Sequence, residues 1–218
     1  MKGKLLALYY RLRAEYGFLD WWPADTKTEV IVGAILVQNT SWNNAQKAIA
    51  NLKGARMLNP QRLSGAKLGR LEELIRPSGF YRRKALRLKQ VFVHIRKKYL
   101  TLHRFLSQDK VSLRNELLLQ SGIGKETADS IVLYAAEKPA FVVDAYTKRI
   151  MGRVYGTNER MGYDELQSSI QSAIPEDVLL YKDFHAQFVE HAKKYCKKKP
   201  LCPNCPLSCI CAYAARAK

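Results

Sequence analysis

The residues best suited to chemistry are five cysteines, all of which follow position 195 of the 218-residue chain. One CxxC pair, Cys202 and Cys205, is flanked on each side by a cysteine six residues away, Cys196 and Cys211. Four thiolates around one centre suit a zinc ion or a 4Fe–4S cluster, because both are soft-ligand sites. Structural zinc sites usually supply two well-separated CxxC-like pairs. The single compact loop therefore favours the 4Fe–4S cluster, and Cys209 is left as a fifth thiol without a role.

A glycine hairpin, Gly122-Ile123-Gly124, lies between two helical patterns. Glycines at this spacing permit the positive φ of a tight turn and let backbone N–H groups approach a phosphate, although a plain turn between helices has the same pattern. About one helix later, Asp144 follows an apolar run. A buried carboxylate is costly unless it is paired. Asp144 is therefore the N-cap of a helix over Ala145 to Tyr155, a functional carboxylate, or both.

The charge of the chain indicates a polyanionic partner. There are 37 Lys and Arg residues against 19 Asp and Glu residues, which gives a net charge of +18 and a pI near 9.8. Lysine and arginine release condensed counterions when they meet phosphates, so nucleic acid is the favoured partner. Charge alone leaves open a ribosomal-type protein, a membrane-surface binder or a source with a basic proteome.

Helical periodicity dominates the elements that must position these residues. Apolar residues recur at helical spacing over several segments, with Thr28 as the expected N-cap of the second one; the segments are Leu5 to Leu12, Val30 to Leu36, Leu68 to Ile75 and Ala85 to Ile95. The one strand-like run, Ala140 to Val143, is isolated, and an isolated strand is unstable. The sequence therefore predicts an all-α fold.

No segment has the character of a signal peptide or a membrane span. The first residues read as an amphipathic helix, and no apolar run approaches the length needed to cross a bilayer. We expect a cytoplasmic protein with no membrane partner. In that compartment, metal binding is a better use for five cysteines than disulfide formation.

Three features taken together carry a family resemblance. The hairpin segment Gly122 to Ala128, the Val143-Asp144 pair and the cysteine loop resemble the helix-hairpin-helix-Gly/Pro-Asp DNA glycosylases, the superfamily of endonuclease III, from about Trp21 to Cys211. The resemblance implies a six-helix lobe over 27–136 and a second lobe from 1–26 plus 137–218, with the hairpin and Asp144 lining the cleft between them. It also implies a nucleoid-associated monomer that binds double-stranded DNA and flips a damaged base out of the stack, with Asp144 as the catalytic residue.

The resemblance assigns further residues to DNA binding. Gln38 would fill the gap left by the flipped nucleotide, and Phe80 would act as an intercalating wedge. The basic face that follows Phe80 would contact the DNA backbone, or else is merely solvated; it comprises Arg82, Arg83, Lys84 and Arg87. The hairpin residues expected at the phosphates are Gly122, Gly124, Lys125 and Thr127. The backbone carbonyls expected to hold a monovalent cation, K⁺ or Na⁺, against a DNA phosphate are those of Leu118, Gln120 and Ile123.

The chain departs from the family pattern at two positions. Bifunctional members place a Schiff-base lysine at the second position after the hairpin's last glycine, where this chain has Glu126, and Lys125 stands one residue earlier. The protein should therefore cut the glycosidic bond without cutting the strand. The gap between Cys196 and Cys202 holds five residues where the family pattern has six, so the first cluster ligand departs slightly from that pattern.

The nearest branch by resemblance is that of the bacterial 3-methyladenine DNA glycosylases. By that likeness, Trp21, Trp22 and Trp42 form an aromatic base pocket, to which we also assign Glu126, and the substrates are alkylated purines. The alternatives are excision of uracil, thymine or other damaged pyrimidines, and an endonuclease III-like glycosylase/lyase. A non-catalytic DNA-binding module is a further alternative, but such a module would not need the carboxylate of Asp144.

Overall fold

The computed structural model describes residues 3–19, 21–157 and 161–216. Every regular element in these ranges is helical, so the predicted all-α class is confirmed. The thirteen α-helices of the described ranges are α1 Lys4–Tyr16, α2 Lys27–Leu36, α3 Trp42–Gly54, α4 Pro60–Gly65, α5 Leu68–Ile75, α6 Tyr81–His94, α7 Leu102–Leu106, α8 Lys110–Leu118, α9 Lys125–Ser130, α10 Ala145–Tyr155, α11 Tyr163–Gln171, α12 Val178–Lys194 and α13 Ala212–Arg216. Within the same ranges, no helix is both long enough and apolar enough to cross a membrane.

The chain divides into two compact units. The first comprises Met1–Trp21 and Pro139–Lys218, and the second comprises Trp22–Lys138. The second unit contains eight α-helices, α2 to α9, whereas the resemblance implies six. The two short helices α4 and α7, of one to two turns each, account for the difference in number. The π-helical turns Ile95–Tyr99 and Ile131–Ala135 continue α6 and α9.

Helix α2 forms the centre of the second unit, where it packs against α3, α6 and the turn Ile131–Ala135. Every residue from Thr28 to Leu36 is buried. Thr28 is therefore inside the helix, and the expectation that it caps α2 is wrong. The N-cap is Thr26, whose hydroxyl accepts a hydrogen bond from the Glu29 amide at 3.2 Å. Thr26 and Glu29 have the Thr-x-x-Glu spacing of a capping box, which specifies this start.

Helix α12 forms the core of the first unit and packs against α1 and α10. Its buried face includes polar side chains that are paired within the unit. The hydroxyl of Tyr9 donates to Oδ2 of Asp183 at 2.7 Å, and Nε2 of Gln187 donates to Oδ1 of Asp183 at 3.1 Å. Buried polar groups need such partners, so these bonds specify how α1 and α12 pack.

The strand-like run Ala140 to Val143 is an extended segment that is not part of a sheet. Side chains of α11 take the place of a neighbouring strand. Oε1 of Gln171 accepts from the Phe141 amide at 2.8 Å, and Nε2 of Gln167 donates to the Phe141 carbonyl at 2.7 Å. Buried backbone groups are thus satisfied without a second strand, and the segment leads directly into Asp144.

Candidate active site and nucleic-acid interface

Asp144 is the N-cap of α10 and is 9% exposed. Its Oδ1 accepts a hydrogen bond from the Thr147 amide at 2.7 Å. Burial raises the pKa of the carboxyl group, but contact with His185 and the bond from Thr147 outweigh burial, so the pKa lies below its usual value. The structure therefore holds a fixed, ionised carboxylate at the N-terminus of a helix, where the helix dipole also favours a negative charge.

His185 is a second candidate residue in the same unit, and the sequence did not single it out. It lies on α12, is 3% exposed, and places Nε2 at 3.6 Å from Oδ2 of Asp144. Its ring meets the indole of Trp21 edge-on, with ring centroids 5.2 Å apart at 82°. The imidazole, the carboxylate and the indole of the first unit thus form one cluster, which can hold Asp144 in a single orientation.

The predicted hairpin joins α8 to α9 in the second unit. Gly122 has a φ of +77°, a conformation that favours glycine. Gly124 caps α9 with an ordinary φ of −89°, and a Cβ added to it would meet nothing within 4 Å. The backbone of the turn therefore requires glycine only at Gly122, whereas Gly124 leaves an open surface beside the exposed Lys125.

Gln38 is bound to this hairpin. Its Nε2 donates to Oγ1 of Thr127 at 2.7 Å and to the carbonyl of Gly122 at 3.2 Å. Arg87 completes the arrangement, since its Nη1 donates to Oε1 of Gln38 and its Nε donates to the carbonyl of Ser121 at 3.2 Å. The structure thus brings together Gln38 and the hairpin, two features that the resemblance had assigned separately to DNA binding.

Phe80, the predicted wedge, is 63% exposed and is the N-cap of α6. Its φ is +46° and that of Gly79 is +66°. A bulky residue rarely adopts a positive φ, because the left-handed region is strained for side chains with a Cβ. The chain therefore exposes a large aromatic ring on a strained turn. Packing of the hydrophobic core does not explain this exposure.

Lys84 differs from the prediction. The sequence predicts that it belongs to a basic face for DNA, but it is 2% exposed, and its Nζ donates to the carbonyls of Leu36 at 2.8 Å and Ser78 at 2.7 Å. Burial, with a smaller contribution from the charge of Arg87, lowers the pKa of Lys84 to about 8. A side chain enclosed in this way cannot reach a phosphate. The exposed part of the predicted face is Arg82 and Arg83.

The three predicted pocket tryptophans are distributed over the two units. Trp22 and Trp42 belong to the second unit and meet edge-on, with ring centroids 5.8 Å apart at 69°. Tyr134, which the sequence did not suggest, lies 4.6 Å from Trp22, centroid to centroid, and is inclined to it by 36°. Trp22 and Trp42 are half-buried. We call Trp22, Trp42 and Tyr134 the aromatic cluster; Trp21 belongs to the first unit.

The remaining predicted residues of the second unit lie on or near the hairpin. Glu126 is exposed in the first turn of α9. Of the three carbonyls assigned to a cation, that of Gln120 accepts from the Ile123 amide at 3.0 Å, and Leu118 is the last residue of α8. A carbonyl that accepts one hydrogen bond retains a second lone pair, so this turn can still offer oxygen to a cation.

Four cysteines of the first unit line one cavity, namely Cys196, Cys202, Cys205 and Cys211. Cys209 does not line it, and its exposed Sγ accepts a hydrogen bond from Arg11 Nη1 at 3.3 Å. The structure therefore brings together the four thiols that the spacing assigned to a cluster, and their role as ligands stays a prediction.

The four thiols that line the cavity are a donor set that suits a 4Fe–4S cluster, which is held by four cysteine thiolates. In the described part of the chain, no three metal-binding side chains are grouped as the ligands of one metal ion would be. Burial, with smaller contributions from neighbouring cysteines, raises the pKa of the Cys205 thiol to about 11. A thiolate here needs a nearby cation, which cluster iron would supply.

Comparison with known proteins gives concordant matches. The profile of HhH-GPD superfamily base excision DNA repair proteins matches residues 32–176. A Methanocaldococcus jannaschii protein named as a DNA repair glycosylase is 48% identical over 206 residues, covering 94% of each chain. Endonuclease III of Thermotoga maritima is 30% identical over 188 residues, or 86% of this chain and 83% of its own. The crystal structure of H. pylori 3-methyladenine DNA glycosylase bound to 1,N6-ethenoadenine matches with a TM-score of 0.79 at 31% identity, covering 87% of this chain and 97% of that chain.

Proposed function

The chain belongs to the HhH-GPD superfamily of base excision DNA repair proteins, a family of DNA glycosylases, and we propose that it releases alkylated purines such as 3-methyladenine without cutting the strand. The observation that carries the proposal is the buried carboxylate of Asp144, which accepts a hydrogen bond from Thr147 and lies 3.6 Å from Nε2 of His185. The similarity to the H. pylori 3-methyladenine DNA glycosylase supports the choice of base. The protein acts as a monomer on the DNA of the nucleoid.

Asp144 would act on the sugar. When the N-glycosidic bond breaks, the base leaves with the bonding electrons and the sugar carbon becomes positive. A fixed carboxylate stabilises this charge because its position needs no rearrangement during the reaction. Water then adds to the sugar carbon, and Asp144 orients that water and accepts its proton.

The aromatic cluster would recognise the base. Bases alkylated at N3 or N7 carry a positive charge, so they leave readily and need little help from a general acid. A cation over the face of a tryptophan is stabilised by about 2 kcal/mol when it is desolvated. Trp22 and Trp42 are half-buried and therefore keep ring surface available for a ligand. Trp21 and Glu126 are also assigned to base recognition in this proposal.

Glu126 is the reason to propose that the strand stays intact. Lyase chemistry requires an amine that forms an imine with the sugar, and a carboxylate cannot form one. Lys125 lies beside it on the exposed start of α9, and we assign Lys125 to a DNA phosphate instead. A glycosylase/lyase of the endonuclease III kind is the second candidate, favoured by the 30% identity to the Thermotoga maritima protein.

The DNA backbone would be bound by the hairpin and the start of α6. Backbone amides at a helix N-terminus bind phosphate, and the open surface at Gly124 permits a close approach. The carbonyls of Leu118, Gln120 and Ile123 would hold K⁺ or Na⁺ beside that phosphate. Phe80 would wedge into the base stack and Gln38 would occupy the gap. The residues proposed at phosphates are Arg82, Arg83, Gly122, Gly124, Lys125 and Thr127.

The cysteine loop would hold a 4Fe–4S cluster through Cys196, Cys202, Cys205 and Cys211. When bound, such a cluster cross-links its loop through four iron–thiolate bonds. In this chain it would fix the loop that follows α12. Arg149 and Arg153 of α10 support the same loop, because Arg149 Nε donates to the Cys196 carbonyl at 2.7 Å and Arg153 Nη1 donates to the Lys197 carbonyl at 2.6 Å.

A panel of duplexes, each with one modified base, tests the proposed function. Purified protein is incubated with 3-methyladenine, 7-methylguanine, uracil and mismatched thymine duplexes, and the released bases are quantified against a buffer control. We expect the alkylated purines to be released and uracil and thymine to remain. Efficient release of uracil or thymine, with the alkylated purines left in place, would overturn the choice of base.

A further inference from the structure

Lys84 lies at a costly position for a cation. It is in the first turn of α6, where the positive end of the helix dipole disfavours a positive charge. It is also 2% exposed, and its pKa is lowered to about 8. A buried apolar side chain of similar length would avoid both penalties. The presence of a lysine therefore needs a reason other than filling space.

The two carbonyls that Lys84 holds come from separate segments. The Leu36 carbonyl is at the last residue of α2, and the Ser78 carbonyl is in the turn that precedes α6. Leu36 comes two residues before Gln38, and Ser78 comes two residues before Phe80. One ammonium group thus links the backbones that carry the gap-filling glutamine and the wedge.

We propose that Lys84 is a positioning residue, which fixes the Gln38 and Phe80 loops relative to each other so that both side chains enter the base stack together. The inference rests on the proposed function and deepens it. The Lys84 backbone contributes as well, because its amide donates to the Phe80 carbonyl at 3.1 Å. Ser78 is fully buried, with its hydroxyl donating to the Ile75 carbonyl at 2.7 Å, so the turn that Lys84 holds is itself fixed to α5.

The geometry separates this role from phosphate binding. A side chain that binds phosphate presents its charge at the surface, and the neighbouring Arg83 lies at an exposed position. Lys84 instead directs its ammonium group into the unit, towards neutral backbone oxygens. Its removal should therefore leave the salt-dependent affinity for undamaged duplex nearly unchanged.

The test compares Lys84→Met with Lys97→Met. Lys97 is exposed in the turn that follows α6, and its variant loses the same charge. Extrusion is followed by the fluorescence of 2-aminopurine placed beside the damaged base, at protein concentrations that saturate the DNA. We expect Lys84→Met to lower both the fluorescence rise and the single-turnover excision rate about tenfold, because charged hydrogen bonds position the loops. Its affinity for undamaged duplex should stay within about twofold, and Lys97→Met should match the wild type.

A double-mutant cycle distinguishes positioning from a general structural role. In a Gln38→Ala/Phe80→Ala background, Lys84→Met should change extrusion by less than about twofold, because residues that act through each other are not additive. The proposal is wrong if the tenfold loss persists in that background, or if Lys84→Met extrudes the base normally. If Lys84→Met does not fold, Lys84→Gln, which removes the charge and shortens the side chain, serves in both experiments with the same criteria.

The outcome of this test can be distinguished from a failure of the proposed function. Extrusion is read from DNA with a damaged base whether or not the base is then hydrolysed, so a wrong assignment of the preferred base leaves the cycle interpretable. A protein that extrudes no base in its wild-type form would overturn the proposal for Lys84 together with the roles of Gln38 and Phe80.

Discussion

Oδ2 of Asp144 lies 3.6 Å from Nε2 of His185, although 41 positions separate the two residues in the sequence. Asp144 begins α10 and His185 lies within α12. Both side chains are almost fully buried, so solvent screens their interaction only weakly. The contact keeps the carboxylate ionised in a place where burial alone would favour its neutral form.

Replacing His185 should make the enzyme more sensitive to acid. Burial raises the pKa of Asp144, and His185 is the leading cause of its net lowering. In His185→Leu, the acid limb of the excision rate should therefore move to higher pH. His103→Leu, at an exposed position, is the control. An unchanged acid limb in His185→Leu would show that His185 does not set the ionisation of Asp144.

The same ionisation predicts how stability varies with pH. A carboxyl group whose pKa is lower in the folded state contributes stability above its unfolded pKa of about 3.9, and this contribution disappears as the pH falls through the folded pKa. Asp144→Asn should therefore reduce the acid dependence of the free energy of unfolding below about pH 4. Urea titrations of Asp144→Asn and of the control Asp177→Asn between pH 2 and 6 measure this dependence. Equal slopes of the free energy of unfolding against pH in the two variants would contradict the prediction.

The product should be an intact strand with an abasic site. Borohydride should trap no covalent protein–DNA adduct with the wild-type protein, because Glu126 cannot form an imine. Glu126→Lys restores an amine at the position where bifunctional members carry it, and it should yield a detectable adduct. Trapping by the wild-type protein would contradict the assignment, and loss of that adduct in Lys125→Ala would then identify the nucleophile.

The purified protein should be brown and contain about four iron atoms per chain. Cys205→Ser should lose iron, whereas Cys209→Ser should retain it, because the Cys209 thiol does not line the cavity of the other four cysteines. Iron and zinc are quantified by elemental analysis after anaerobic purification. Stoichiometric zinc without iron, or loss of iron in Cys209→Ser, would show that the cluster assignment is wrong.

Helical periodicity predicted most of the fold, because the apolar faces of α1, α2, α5 and α6 repeat within each local segment. Asp144 was predictable for the same local reason, since an acid between an apolar run and a helix start is an N-cap pattern. The burial of Lys84 was not predictable from the sequence, because the basic residues 82–84 and 87 lie next to apolar residues in the pattern of a solvated helix face. Only the tertiary position of the Leu36 and Ser78 carbonyls shows that Lys84 is buried.

His185 was missed because its partner is distant in sequence. One feature of α12 could have identified it. The helix carries Asp183, His185, Gln187 and His191 among residues that are otherwise apolar and buried. Polar residues within a buried helix face must have partners, so each is a candidate for a contact with another element. The sequence does not give the identity of those partners, which depends on packing between helices.

The central claim, that Asp144 carries out glycosidic bond hydrolysis, is tested most directly by single-turnover release of 3-methyladenine from a duplex by the wild type, Asp144→Asn and Asp177→Asn. Asparagine remains a good N-cap, and Asp177 caps α12 in the same unit through a bond from the Leu180 amide at 2.6 Å, so the control matches the change. We predict that Asp144→Asn binds the duplex as tightly as the wild type but releases the base at least about a hundredfold more slowly, while Asp177→Asn keeps the wild-type rate. Release by Asp144→Asn at the wild-type rate would contradict the account.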